Sequence, residues 1–290
     1  MCLFAPVLNV SIPLLGELDV LRKYNVEIQE ASHPVPDERS VQGATRIVDM
    51  VQEHASERTL VLCCISGGGS ALFCAPKPPL TLKELQHTNE ALLASGMTIQ
   101  QMNIIRKRLE IGKGGRLAAA AYPSTVVTLV LSDILGDPLD LIASGPTVRD
   151  TSTCKDAWDL VKSNVSLQSS LSQAVLNVLQ EGLQEDVPLD VFQKSETILV
   201  GNNELAVMAA AEEAQRLGYY PVVLSTHIEG EALVSTQPWH SIWHVSVMGM
   251  YFLVWQNFRP PLLVEEKRLS RWREKRAKVV EIRNWPWQRH

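Results

Sequence analysis

Three consecutive glycines between two serines form the most distinctive motif of the chain: Ser66, Gly67, Gly68, Gly69 and Ser70. Glycine adopts positive φ angles at little cost, so successive backbone N–H groups can converge on one anion, and the serine hydroxyls add donors. The loop is not a Walker A motif, because no lysine follows it, and not G-x-G-x-x-G, because the sixth position is Leu72. Taken alone, the loop fits a phosphate or carboxylate cradle and a plain tight turn equally well.

A second glycine turn lies close in sequence to several cations: Arg106, Lys107, Arg108, Lys113, Gly114 and Gly115. A predicted helix carries the first three cations and breaks at residues 112–115, where another helix begins. Positive charge beside the first amides of a helix suits a triphosphate. The alternative is a solvated basic face, which is the commoner arrangement for a single helix.

Acidic residues follow a run of β-branched residues at 125–131, which predicts a strand buried on both faces of a parallel sheet. Asp133 and Asp137 come directly after this run. Open α/β sheets bind ligands and Mg²⁺ just beyond the carboxyl ends of their strands. The competing interpretation is an Asx turn in which Asp133 caps a helix. Ser144 and Gly145 belong to one further turn of small residues, and Asn202 to a turn that caps another helix.

Strands and helices must position these loops, and the pattern of apolar runs predicts where those elements lie. Strand-like runs at 60–65, 125–131, 196–200 and 221–224 alternate with segments of helical period and capping signals. Another strand is predicted at 7–12. Alternating strands and helices predict an α/β fold with a doubly wound, mostly parallel, Rossmann-like sheet and helices on both faces.

The distribution of charge and the cysteine content limit which kinds of protein this chain can be. Residues 235–290 hold ten basic and four acidic residues, so the net charge of −5 conceals an acidic body, which argues against nucleic-acid binding. Five cysteines without a C-x-x-C pair suggest reduced thiols in the cytoplasm. The apolar run at 245–255 is too short to span a bilayer.

Six motifs taken together resemble one family in order and spacing. They are HPVPD at 33–37, SGGGSAL at 66–72, an NxIRKxL-like segment at 103–109, KGGRLA at 113–118, LSDxxGDPxxxIASGPT at 131–147 and GNNxLA at 201–206. The family is the class II glycerate kinases, in which this domain precedes a second domain called MOFRL. The resemblance implies ATP-dependent phosphorylation of D-glycerate with Mg²⁺, in the cytoplasm, or in mitochondria for a form with a different amino terminus.

The resemblance also implies that the loops converge at the mouth of the sheet. We expect Asp133 and Lys107 to be catalytic and Asp133 and Asp137 to hold the metal. The expected contacts with substrate and nucleotide are Ser66, Gly67, Gly68, Gly69, Ser70, Arg106, Lys113, Gly114, Gly115, Ser144, Gly145 and Asn202.

Two family segments have no counterpart here: a Gly-x-Gly-Lys segment near the start, whose lysine is thought to be catalytic, and the characteristic segments of MOFRL. We therefore expect an incomplete kinase domain at 1–231 and, at 232–290, a basic tail without a packed fold that holds six of the seven tryptophans. Two alternatives to an active kinase stay open. One is a truncated, non-catalytic product that still binds ligand, and the other is a different Rossmann-like protein that binds sugar phosphates.

Overall fold

The structure is a computed structural model that describes residues 2–3, 27–182, 186–226, 245–247 and 250–255. Its strands are β1 Cys2–Leu3, β2 Leu60–Ile65, β3 Thr125–Leu131, β4 Ser195–Gly201, β5 Tyr220–Ser225, β6 Val245–Val247 and β7 Met250–Trp255. Its α-helices are α1 Glu38–Glu53, α2 Gly69–Leu72, α3 Leu82–Ala94, α4 Ile99–Arg106, α5 Arg116–Ala121, α6 Cys154–Ser163, α7 Val165–Ser170, α8 Gln173–Glu181 and α9 Asn203–Arg216. Two 3₁₀ helices cover Ile142–Ser144 and Leu189–Lys194.

Four strands form a parallel sheet in the order β1-β2-β3-β4. Ile65 pairs with Val130, and Leu131 pairs with Gly201. The carboxyl ends of β2, β3 and β4 therefore lie side by side at one edge of the sheet. The predicted α/β class with a parallel sheet is confirmed, and the loops that follow these three strands meet at that edge.

The helices begin where the sequence supplies capping groups. Asp37 caps α1 in a reciprocal capping box with Ser40, and Thr81 and Thr98 form such boxes at the starts of α3 and α4. Each side chain accepts a hydrogen bond from an amide that the helix itself leaves unpaired. In contrast, Gly68 and Gly115 cap α2 and α5 with left-handed backbone and no side chain.

The sheet is held by a compact apolar layer against α1 and α5. Val48 and Val51 from α1 and Leu117 from α5 pack on Val61 of β2 and Val126 of β3. A second apolar cluster joins α3, α4, α6, α7 and α8. Burial of these surfaces fixes the strands and helices from which the loops project.

The end of the described chain differs from expectation. β5 lies outside the parallel sheet and pairs antiparallel with β7, which also pairs with β6. Strands β6 and β7 lie within 232–290, for which the sequence predicts a tail without a packed fold, so the strand pairing at 245–247 and 250–255 departs from that expectation. The strand predicted at 7–12 lies outside the described residues. No helix in the described part of the chain is long and apolar enough to cross a membrane.

Candidate functional site

The loop after β2 offers a row of unpaired amides. Gly68 has φ 79°, and its carbonyl accepts the amides of Ala71 and Leu72 at 3.1 and 3.3 Å. Among the residues that the structure describes, no acceptor pairs with the four preceding amides, which belong to Gly67, Gly68, Gly69 and Ser70. The loop therefore presents consecutive N–H donors at the carboxyl edge of the sheet, as an anion cradle requires.

Three side chains close around the glycines. A Cβ atom on Gly67 would overlap Oδ2 of Asp133, and a Cβ atom on Gly69 would lie 2.7 Å from the Cβ atom of Ala143. A Cβ atom on Gly68 would lie 3.1 Å from Cδ2 and 3.2 Å from Nε2 of His33. The glycines are thus required by close approach as well as by positive φ.

Asp133, the first acidic residue after β3, is exposed beside this cradle. Its predicted metal partner Asp137 is differently placed: it has φ 52° and accepts a hydrogen bond of 2.6 Å from Nδ2 of Asn202. Asn202 also caps α9 by accepting the amide of Leu205 at 2.9 Å. Within the described residues, no three His, Cys, Asp or Glu side chains form a metal-binding group.

His33 is the residue that the sequence analysis left out of the site. Its exposed imidazole faces Gly68, and the segment that carries it is anchored on both sides. Oδ1 of Asp37 accepts the amide of Ser32 at 3.4 Å, and Nε2 of Gln86 donates to the carbonyl of Pro36 at 2.8 Å. The signal in the sequence is the HPVPD motif, which also fits a simple polar turn because its last residue, Asp37, is the N-cap of α1.

The predicted catalytic lysine is not exposed at this edge. Lys107 is 2% exposed, and its Nζ lies 3.0 Å from Oδ2 of Asp140 and 3.5 Å from Oδ1 of Asp150. Arg108 contacts Oδ2 of Asp150 at 2.9 Å. Burial raises the pKa of Asp150, but Arg108, Ser152 and Lys107 outweigh burial and hold it below its usual value. The cations lie near Gly114 as predicted, and carboxylates pair with Lys107 and Arg108, so the catalytic role of Lys107 stays a prediction.

Two other predicted ligand contacts, Arg106 and Lys113, are hydrogen-bonded to groups of the protein itself. Nε of the half-buried Arg106 donates to Oδ1 of Asn89 at 2.8 Å. Lys113 is 3% exposed and donates at 2.7 Å both to the carbonyl of Ser70 and to Oε1 of Glu110. Both residues therefore make contacts inside the protein.

The second glycine turn holds another loop instead of offering free amides. The amides of Gly114 and Gly115 donate to the carbonyls of Ser144 and Gly145 at 3.0 and 2.8 Å. These two amides are therefore already paired, and the contact of Gly114 and Gly115 with a nucleotide stays a prediction. Their contacts bring Oγ of the buried Ser144 within 3.1 Å of Oγ of Ser70.

The structure thus gathers part of the predicted set at one place. The glycine loop, Ser70, Ser144 and Asp133 lie together, and His33 joins them. Ser66 is exposed at the end of β2, and Asn202 follows the end of β4. Lys107, Arg108 and Lys113 are buried, because their long side chains reach carboxylates and carbonyls that the sequence could not place.

Comparison with known proteins places this geometry in context. The family model described as "Domain of unknown function (DUF4147)" matches residues 10–180. The glycerate kinase of Danio rerio is 40% identical over 210 residues, which cover 70% of this chain and 41% of that protein. The glycerate 2-kinase of Pyrococcus horikoshii is 38% identical over 216 residues, covering 71% and 47%. A protein of Agrobacterium vitis named putative hydroxypyruvate reductase is 42% identical over 207 residues, covering 71% and 52%.

A crystal structure of glycerate kinase from Thermotoga maritima superposes with a TM-score of 0.59 at 38% sequence identity, covering 67% of this chain and 45% of that one. The chain spans about half the length of these relatives. The comparisons confirm the family resemblance that the six ordered motifs indicated.

Proposed function

The chain belongs to the DUF4147 family, and we propose that it serves the transfer of a phosphoryl group from ATP to D-glycerate. The observation that carries this proposal is the row of four unpaired amides beside Asp133 and His33. Relatives named glycerate kinase support the choice of substrate, although this chain covers about half of their length.

The glycine loop would bind an anionic group of glycerate or ATP. Hydrogen bonds from N–H groups to a charged oxygen are short and about twice as strong as neutral ones. Ser70 is exposed, and its hydroxyl, 3.1 Å from that of Ser144, adds a hydrogen-bonding group at the end of the loop. Phosphoryl transfer depends mainly on position and charge compensation, so a rigid set of donors is the contribution that the loop makes.

Asp133 is the residue that would hold Mg²⁺. Magnesium in such enzymes keeps several waters and needs only one or two protein carboxylates in addition to phosphate oxygens. A single exposed carboxylate next to the cradle fits that requirement, whereas the carboxylate of Asp137 already accepts from Asn202. Bound Mg²⁺ would neutralise charge on the phosphates, and Asp133 would orient it.

His33 is placed to contact the ligand directly. The amide nitrogen of a residue lies about 2.5 Å from its own Cβ, so Nε2 of His33 lies within about 5.7 Å of the Gly68 nitrogen. One ligand oxygen can bridge that span, because each N–H···O bond is about 2.9 Å long. We assign His33 to the orientation of the oxygen held at Gly68.

A second candidate function is ligand binding without turnover. It is favoured by one observation: the predicted cations Lys107 and Lys113 are buried in ion pairs and do not face the cradle. Charge on a transferred phosphoryl group would then lack a lysine from this set. Such a protein would bind glycerate or ATP and release it unchanged.

A coupled assay separates these candidates. We expect the purified chain, supplied with D-glycerate, ATP and Mg²⁺, to form ADP and a phosphoglycerate, whose phosphorylated hydroxyl is identified by phosphorus NMR. Calorimetric titration with each ligand accompanies the assay. Binding without ADP formation would establish the non-catalytic alternative, and the absence of any binding would refute the proposed site.

We further propose that the protein works in the cytoplasm. The described cysteines Cys63, Cys64, Cys74 and Cys154 are all free. Burial raises the pKa of the Cys63 thiol to about 12, with the neighbouring Cys64 acting in the same direction, so this thiol stays protonated. Free thiols fit a reducing compartment.

A further inference from the structure

The buried ammonium group of Lys113 is hydrogen-bonded to the backbone of α2, the short helix that begins at the last glycine of the loop. Its buried Nζ lies 2.7 Å from the carbonyl oxygen of Ser70 and 2.7 Å from Oε1 of Glu110. Ser70 is the second residue of α2, directly after the three glycines. The lysine therefore ties the backbone at the end of the cradle to a buried carboxylate.

The next residue along the chain holds the opposite side of the same site. The amide of Gly114 donates to the carbonyl of Ser144 at 3.0 Å, and the hydroxyls of Ser144 and Ser70 are 3.1 Å apart. Two consecutive residues, Lys113 and Gly114, thus hold the two serines whose hydroxyls face each other. These contacts form a closed ring that joins α2, the second glycine turn and the 3₁₀ helix Ile142–Ser144.

The held loop is strained. Ala143 and Ser144 have φ angles of 50° and 62°, a region that favours glycine. Such residues persist only where surrounding contacts determine their conformation. The bond from Gly114 to Ser144 is one such contact, so the ring fixes a conformation that the loop would not adopt alone.

The buried ion pair at the base of the ring, between Lys113 and Glu110, is weak evidence for stabilisation. Both side chains are 4% exposed, and Oε2 of Glu110 has no partner among the described residues. Burial raises the pKa of Glu110, and the ammonium of Lys113 opposes that rise. Because desolvation of two charges offsets most of their attraction, a buried pair of this kind is better explained by the geometry that it imposes.

We propose that Lys113 is a positioning residue, which together with Glu110 and Gly114 fixes Ser70 and Ser144 so that their hydroxyls and the loop amides meet one anionic group. It touches no ligand itself. The inference rests on the proposed function for the identity of that group, a carboxylate or a phosphate, and not for the ring of contacts.

The test uses the full chain with a neutral replacement of the pair, Lys113→Met with Glu110→Gln, which removes both charges and keeps their bulk. The matched control is Lys194→Met. Lys194 also donates to a backbone carbonyl, that of Pro123 at 3.3 Å, and lies 3.7 Å from Glu57. Hydrogen exchange is measured at the amides of Leu72 and Phe73, and calorimetry is run with D-glycerate, ATP and inorganic phosphate as separate probes.

We expect the double variant to unfold near the wild-type temperature, to exchange the two amides about tenfold faster and to bind its ligand about tenfold more weakly, the effect of losing one hydrogen bond to backbone. Loss in the glycerate titration alone assigns the carboxylate, and loss with ATP and phosphate assigns a phosphate. Lys194→Met should change neither exchange nor affinity. A role in stability alone would lower the unfolding temperature and leave native-state exchange at α2 and affinity unchanged.

Unchanged exchange at Leu72 and Phe73 in a folded double variant overturns the proposal. If the double variant does not fold, Ser144→Ala tests the ring from its other side, and unchanged exchange there overturns the proposal equally. Faster exchange in a chain that binds no ligand would refute the proposed function and leave the positioning role standing. Wild-type exchange in the double variant, together with intact glycerate binding, would refute the positioning role and leave the proposed function standing.

Discussion

Gly68 and Gly96 provide a matched pair of substitutions that separates backbone strain from the loss of a binding site. Both have left-handed backbone, with φ 79° and 73°, so alanine at either position costs about 1–2 kcal/mol. Nothing lies within 4 Å of a Cβ atom on Gly96, whereas a Cβ atom on Gly68 would contact the ring of His33 at 3.1 Å. Only the substitution at Gly68 therefore disturbs the cradle.

The expected losses follow from these contacts. Both Gly68→Ala and Gly96→Ala should lower the unfolding temperature by about 2–8 °C, since 1 kcal/mol corresponds to about 2–4 °C in a chain of this size. Relief of strain at Gly68 would turn its amide and that of Gly69 away from the ligand. Each such bond to a charged group is worth about 1.5–3 kcal/mol, so the loss of both should lower the affinity by about two to four orders of magnitude.

Thermal unfolding and calorimetry with D-glycerate and with ATP measure both quantities on the same samples. Gly96→Ala should bind like the wild-type chain. The reasoning is refuted if the two variants lose similar stability and Gly68→Ala keeps its affinity for both ligands within twofold, because the loop would then be a structural turn.

Three further predictions follow from the surrounding side chains. Asp133→Asn should weaken ATP binding in the presence of Mg²⁺ more than without it, as titrations with and without the metal would reveal; equal loss would indicate a capping role. Lys107→Met should lower the free energy of unfolding by about 3 kcal/mol, because Asp140 and Asp150 lose a buried partner. Urea titration measures this free energy, and an unchanged free energy would indicate that the lysine has no structural role. The lowered pKa of Asp150 predicts stability that is complete above about pH 4 and is lost as the pH falls below it. Asp150→Asn should therefore flatten the acid limb of a stability profile, and an unaltered limb would contradict the assignment.

Local patterns in the sequence were sufficient for the parallel strands β2, β3 and β4, for the capped helices and for the main loop. The β-branched run at 125–131 became β3, and the capping signals at Thr81 and Thr98 became the starts of α3 and α4. These features depend on a residue and its neighbours within one turn or one strand, so the chain displays them directly. The glycine run likewise predicted a loop with positive φ, which Gly68 adopts.

Tertiary structure alone decided which polar side chains face the ligand and which face the protein. Lys107 meets carboxylates 33 and 43 residues away, and Lys113 meets a carbonyl 43 residues away. His33 reaches Gly68 only because the segment at 33–37 packs beside the edge of the sheet. A long cationic side chain is equally compatible with solvent, a phosphate or a buried carboxylate, and the choice among them depends on desolvation and on partners that only the folded chain brings together.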